Sequence, residues 1–210
     1  GSTITSQEDI VESLVTFFAH TSSTEQYDPA FIPIKNNAEK FHLNFSSNGR
    51  EYYNVPISMA ELENSLHTSK DTSPGPDSIH RQMLLHLPPE GKQFMLDMFN
   101  EIWQKDVFPT SWREGIVIPI LKPGKDKAVV SNYRPICLTS VVCKTLERIV
   151  NNRLIWHLEK KNLITNAQCG FRRNRSSIDH LVQLESYIHN AFLQKQHVVG
   201  VFFDLEKAYD

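Results

Sequence analysis

Gly115-Ile-Val-Ile-Pro-Ile-Leu-Lys-Pro-Gly-Lys125-Asp-Lys-Ala-Val-Val-Ser-Asn-Tyr-Arg-Pro-Ile136 is the stretch of this 210-residue chain on which the reading of its fold turns. Residues 115–121 are apolar and rich in β-branched side chains, so they predict a strand. Pro119 has no N–H to give to a ladder, which argues for a sheet edge or a bulge. Pro123-Gly124 supplies the turn, and Lys122, Lys125 and Lys127 crowd around it. Further on, Arg134 stands between Tyr133 and a proline that restricts its backbone. A guanidinium held in that way can fork onto phosphate oxygens. The turn is not a Walker loop. Eight residues separate Gly115 from the Gly124-Lys125 pair where four are required, and no Ser or Thr follows the lysine. Lysines beside a tight turn are otherwise ordinary surface.

Downstream, Val142, Leu146, Ile149, Val150, Leu154 and Leu158 recur at helical spacing, predicting a helix over about 140–161 with those residues inward and Lys144, Arg148 and Arg153 outward. Gln168-Cys-Gly-Phe-Arg172-Arg173-Asn-Arg175 then sets three arginines just before Ser176-Ser-Ile-Asp179, which starts a helix to about Lys195. Arginine forks, backbone amides and a helix dipole can together face a nucleic-acid strand there, the alternative being a solvated basic loop. Val198 to Phe203 reads as a buried strand that delivers Asp204 to a sheet edge. An aspartate in that position is more often a helix cap, and position alone does not make it a metal ligand.

Upstream, Ser6-Gln-Glu-Asp9 resembles a capping box, and Ile10, Leu14, Phe17 and Phe18 continue it as a helix to about His20. Thr21 to Pro56 reads as a long irregular arm with scattered aromatics, Phe41 and Phe45 among them. Ser58-Met-Ala-Glu61 opens a short helix to about Ser69. Ser73-Pro-Gly-Pro-Asp77 cannot continue a helix, and Asp77 is placed to cap one through about Leu87. After Pro88-Pro89, a core stripe of Phe94, Met95, Met98, Phe99 and Ile102 runs up to Lys105.

With 40% hydrophobic and 22% charged residues, the composition suits a soluble globular chain and argues against disorder. The longest apolar runs fall well short of the roughly 18 residues of a spanning helix, so no membrane partner is expected. The chain opens Gly1-Ser2, which reads as an expression scar, and a polar acidic stretch follows in place of a secretory signal. Cys137, Cys143 and Cys169 include no C-x-x-C pair, which disfavours a disulfide framework or a structural zinc and suggests a reducing compartment. The net charge of −2 conceals a gradient: residues 1–110 carry 7 Lys and Arg against 15 Asp and Glu, residues 111–175 carry 13 against 4, and residues 176–210 carry 2 against 5. The central block can meet a phosphate backbone or a triphosphate, although on composition alone a solvated face compensating the acidic front half is the plainer reading.

Five motifs in order, Ser73 to Asp77, Ile118 to Lys125, Asn132 to Ile136, Gly170 to Arg173, and Phe203-Asp204 through Ala208-Tyr209-Asp210, resemble the reverse transcriptases of non-LTR retrotransposons, the jockey-like group above all. The resemblance implies an α+β, helix-rich fold: the fingers and partial palm of a right-hand polymerase. Its parts would be an N-terminal arm over 1–57, fingers over 58–176 and the start of the palm over 177–210. It implies that Asp204 is the first catalytic carboxylate and holds Mg²⁺, with the carbonyl of Leu205 as a further ligand. Two metals bridged by carboxylates lower the barrier to attack of a primer 3′-hydroxyl on the α-phosphate. By the same resemblance Lys122 or Lys125, with Arg134, clamps the dNTP triphosphate, and Tyr209 excludes a ribose 2′-hydroxyl. Gly170, Phe171, Arg172, Arg173 and Arg175 would lie along the template, and Asp77 is structural.

The implied partners are template RNA, primer DNA, dNTP and the remainder of the palm and thumb, in an intracellular protein of cytoplasmic ribonucleoprotein and nucleus. The family's second carboxylate motif is not among these residues, so the chain alone is expected to be inactive as a polymerase. Self-association through an exposed strand edge is also expected. A non-catalytic RNA-binding module and a scaffold built on the amphipathic helices are the competing readings.

Overall fold

A computed structural model describes residues 6–42 and 51–204. Gly1-Ser2, Phe45, Leu205 and Tyr209 therefore lie outside the described residues. The described residues divide into two compact units, the first running to Arg148 and the second starting at Ile149. The architecture is helix-rich α+β, with a single two-stranded sheet among the described residues. No helix among them is long and apolar enough to cross a membrane.

The first unit begins with α1 (Gln7–Thr21). Ser6 occupies its N-cap but makes no side-chain cap bond, so the expected capping box is absent. No α1 residue is buried; Leu14, Phe17 and Phe18 are half-buried, and the helix rests against the 3-10 turn Val130–Asn132. The arm is less irregular than its sequence suggests, because α2 (Phe31–Glu39) interrupts it. Asp28 starts that helix, accepting from Ala30 N at 2.8 Å through its carboxylate and from Phe31 N at 2.8 Å through its carbonyl. Pro33 falls in the first turn, where its missing N–H costs no bond. A nine-residue helix is too short for its period to stand out.

Helix α3 (Met59–Thr68) has the expected capping box: Glu61 N donates to Ser58 Oγ at 3.3 Å and Ser58 N to Glu61 Oε2 at 2.9 Å. Its C-terminal carbonyls are met by two arginines. Arg81 donates from Nε to Leu66 O at 3.0 Å and from Nη2 to His67 O at 3.1 Å, while Arg148 Nη1 reaches Thr68 O at 3.4 Å. Cations at a helix C-terminus also oppose its dipole. Arg148 is thus turned inward, contrary to its expected outward position. Asp77 does not cap the next helix. It accepts from Ile79 N at 3.1 Å in a turn where Ser78 is left-handed (φ 56°), so α4 starts only at Arg81 and ends at Leu85.

Helix α5 (Pro89–Lys105) buries Met95, Leu96 and Phe99. Phe94, expected in the same stripe, is 74% exposed, because one residue turns the helix by about 100°. The Asn100 amide behaves as a surrogate strand: Oδ1 accepts from Ile57 N at 2.6 Å and Nδ2 donates to Ile57 O at 3.0 Å, pinning buried Ile57. Helix α6 (Val141–Lys160) contributes Val141, Val142, Cys143 and Leu146 to the core of the first unit. Ser65 of α3 donates to Thr145 O at 2.9 Å in that core. Burial, followed by the nearby Glu147 carboxylate, pushes the Cys143 thiol up to about 12.

The sheet is the hairpin of β1 (Ile116–Leu121) and β2 (Tyr133–Leu138), antiparallel in a register that places Pro119 opposite Pro135 and Ile120 opposite Arg134. In the second unit, α6 continues to Lys160 and α7 runs over Ser177–Leu193. Ile149 is buried there, but Leu154 is not inward: it is 52% exposed. The Ser176–Asp179 capping box of α7 is present, with Ile178 N donating to Ser176 Oγ at 3.2 Å and Ser176 N to Asp179 Oδ2 at 2.6 Å. The expected buried strand over Val198–Phe203 is not found. Those residues have no regular structure, and Phe203 is 91% exposed. A β-branched run becomes a strand only beside a partner, and none pairs with it among the described residues.

Candidate nucleotide and nucleic-acid interface

In the first unit, Lys122 N donates to Asn132 O at 2.8 Å and closes the hairpin beyond its last paired rung. Opposite residues in an antiparallel pair share a face, so Ile118, Ile120, Arg134 and Ile136 lie together, and all four are exposed. The connection is braced from within. Gly124 turns it with φ 71°, Asp126 Oδ1 accepts from Ala128 N at 2.9 Å, Asn132 Nδ2 donates to Asp126 O at 2.9 Å, and Tyr133 Oη donates to Lys127 O at 3.0 Å. The two candidate lysines differ. Lys122 Nζ donates to Ser131 O at 3.1 Å, whereas Lys125 stands exposed on the turn. Sequence reading missed the bracing roles of Asn132 and Tyr133 and the strand that bears Arg134. The signal is the aromatic and apolar content of residues 133–138, which Arg134 and Pro135 interrupt so that no alternation stands out.

In the second unit, α6 ends in a Schellman motif: Asn162 is left-handed (φ 53°), Leu163 N donates to Leu158 O at 2.9 Å and Asn162 N to Glu159 O at 3.0 Å. The chain then forms the basic loop. Arg172 spends its donors inside the protein, from Nε to Glu159 Oε1 at 2.7 Å, from Nη2 to Oε2 at 2.6 Å, and from Nη1 to Thr165 O at 2.8 Å and Gln168 O at 3.2 Å. Its side chain is 7% exposed. Arg173 Nη2 donates to Asn152 Oδ1 at 2.8 Å, and Arg175 is half-buried. Phe171 (φ 58°) and Asn174 (φ 57°) are both left-handed, a conformation uncommon for Phe, and Phe171 projects into solvent. Gly170 is exposed, its carbonyl accepting from Gln168 Nε2 at 3.3 Å. A cavity of about 330 Å³ opens beside the arginines.

The Arg172 hydrogen bonds hold the Glu159 carboxyl below the usual carboxylate range, and the Ser176 backbone N–H does the same for Asp179. A depressed folded-state pKa contributes stability that is present above the unfolded value and lost as pH falls through the folded one. Residues 159–179 are therefore expected to lose order on acidification below the ordinary carboxylate values of 4.5 for Glu and 3.8 for Asp. Amide exchange across that segment should quicken in this window in the native chain and much less in Glu159→Gln, where only the Asp179 contribution titrates. Equal acceleration in both would contradict the assignment.

Asp204 is exposed in the irregular segment that ends the described residues, and its proposed neighbours Leu205 and Tyr209 lie outside them. Among the described residues no three His, Cys, Asp or Glu side chains group to hold a metal ion. One carboxylate does not fix a pair of ions, so these residues do not by themselves fit a two-metal centre.

Residues 120–210, which include β2, the basic loop and Asp204, match the family model described as reverse transcriptase (RNA-dependent DNA polymerase). The class that this segment matches is that of the reverse transcriptases. The chain is 30% identical over 160 residues to the probable RNA-directed DNA polymerase from transposon BS of Drosophila melanogaster, covering 74% of this chain and 18% of the relative. It is 30% identical over 155 residues to that from transposon X-element of the same organism, covering 74% and 17%. The RNA-directed DNA polymerase from mobile element jockey of that fly is 30% identical over 138 residues, covering 66% and 15%. By these matches the chain is similar, over 66–74% of its length, to the RNA-directed DNA polymerases of non-LTR retrotransposons. It spans less than a fifth of the length of these curated relatives.

Proposed function

We propose that the chain is part of an RNA-directed DNA polymerase that copies retrotransposon RNA, with residues 1–57 as an arm, 58–176 as the fingers and 177–210 as the start of the palm. The observation that carries this reading is the braced hairpin, which holds Arg134 on an exposed face and Lys125 on its turn, beside and within the segment that matches the reverse transcriptase family. Arg134 and Lys125 receive the triphosphate of a dNTP. Lys125 is favoured over Lys122 because the Lys122 ammonium is already bonded to a backbone carbonyl. Gly170, Phe171, Arg173 and Arg175 meet the template strand, while Arg172 holds the loop in shape. Tyr209 packs against the incoming sugar.

Reverse transcriptases use divalent metals, and Mg²⁺ is the ion expected here, held by Asp204 and the Leu205 carbonyl together with carboxylates that these 210 residues do not supply. When bound, such ions activate the primer hydroxyl and neutralise the leaving pyrophosphate. The chain alone accordingly binds RNA without extending a primer, and the exposed apolar run Val198–Phe203 favours self-association.

Template RNA affinity across a salt series tests the reading. Binding should fall steeply with salt, and the logarithmic slope should flatten by about one unit for each of Arg173→Ala and Arg175→Ala. Asp204→Ala should leave binding intact, with no loss of affinity, since a lone carboxylate near phosphates contributes no attraction to them. A salt-independent signal, or none at low salt, would instead favour a scaffold or dimerisation element derived from a reverse transcriptase.

A further inference from the structure

The cavity beside the basic loop has one wall to which neither the motifs nor the family resemblance gives a role. Trp156, on the second half of α6, lines it together with Arg173, Asn174 and Arg175. The residue is 49% exposed, so much of a large apolar side chain is left in water. One turn along the helix, the Lys160 ammonium sits 4.4 Å from the indole centroid and covers one face of the ring. The cavity is also electropositive: three arginines line it against Glu159 alone, and Glu159 is consumed by the two-pronged pairing with Arg172. Its volume of about 330 Å³ suits a small ligand and not a folded surface.

We propose that this cavity holds one nucleotide of a single-stranded nucleic acid, its base stacked on Trp156 and its phosphate met by Arg173 and Arg175. A planar apolar wall next to forked cations matches the two halves of a nucleotide, since every base has a face to stack and every linkage a phosphate for an arginine. An acidic peptide would use the arginines but has no need of the indole. Arg172 acts as a positioning residue: by fastening the loop to Glu159 and to the carbonyls of Thr165 and Gln168, it fixes where the next two cations stand. The inference rests on the nucleic-acid reading above and names the residue at which a base is taken up.

The test is binding of a short fluorescent oligouridylate to the chain and to Trp156→Ala, Trp156→Phe and the double variant Arg173→Ala/Arg175→Ala, over a salt series. Trp156→Ala should weaken binding about tenfold with the salt slope unchanged, because stacking releases no counterions. Trp156→Phe should keep most of the affinity, and this variant guards against a folding defect. The double variant should flatten the slope by about two units. The oligonucleotide should quench part of the tryptophan emission, and that part should be missing in Trp156→Phe. Salt-dependent binding that is indifferent to Trp156 would overturn this inference and leave the nucleic-acid reading standing. Absence of binding at low salt would overturn both. Displacement by uridine monophosphate at concentrations equal to those of the oligonucleotide would assign the cavity to free nucleotides, and Trp156-dependent displacement by polyglutamate would assign it to acidic peptide; either would defeat the strand assignment.

Discussion

Gly75→Ala is expected to destabilise the first unit by about 3 kcal/mol or more, the upper range for inserting a methyl group where none fits. A Cβ on Gly75 would lie 2.6 Å from Ser140 N, 2.6 Å from Thr139 C and 2.9 Å from Thr139 O. All three are backbone atoms, at the entry to α6, so no rotamer change relieves the overlap. Nor can the loop back away easily. Pro74 and Pro76 flank the glycine and their rings fix two of the torsions through which it would move. Gly124→Ala makes the contrasting case: nothing lies within 4 Å of its Cβ position, and the φ of 71° leaves only the left-handed strain of about 1–2 kcal/mol. Urea unfolding of the two variants should show a midpoint shift for Gly75→Ala at least one and a half times that for Gly124→Ala, at unchanged m-value. Equal shifts would mean that the loop does not rest on the start of α6.

Phe99→Ala should cost about 3–5 kcal/mol. The side chain is fully buried and meets Trp112 edge-to-face, with centroids 6.3 Å apart and planes at 83°. Phe108 meets the same indole at 5.7 Å, so the truncation also removes support from an aromatic cluster. The neighbouring Asn100 pins Ile57, which leaves the surroundings little freedom to collapse into the void. Phe94→Ala, on the same helix, should stay within about 0.5 kcal/mol because its ring is already in water. Thermal or urea unfolding of the pair reads the rotation of α5 directly, and similar losses from both would place Phe94 in the core after all.

That pair also shows where the sequence was legible. Periodicity gave the existence and length of α3, α5, α6 and α7, since each buries or caps something local: Ser58 with Glu61, Ser176 with Asp179, Pro89 at a helix start. It did not give the rotation of a helix about its axis, because Phe94 and Met95 are equally apolar and only the neighbouring elements choose between them. Asp77 fits a cap in sequence for the same reason: an Asx turn and an N-cap use one carboxylate alike, and the left-handed Ser78 makes it a turn. The strand over Val198–Phe203 depends on partners that no local rule supplies. Of the candidate site, the motifs marked the segments but not the assignments within them. Three arginines in four residues look equivalent in sequence, yet Arg172 makes four hydrogen bonds to Glu159 and two carbonyls, at separations that only the folded loop creates.

The facing prolines of the hairpin carry one more implication. The bond from Lys122 N to Asn132 O sets the phase of the ladder, and counting rungs back from it puts Pro119 and Pro135 at a level where neither nitrogen points at the other strand. Two prolines therefore sit in a paired sheet without removing one of its bonds. What they remove is outside it: on both flanks, at the same height, the position where an incoming chain would look for a hydrogen is blank. The ribbon displays Ile118, Ile120 and Ile136 to solvent, and the donor missing from the middle of each flank makes it a poorer template for an added strand.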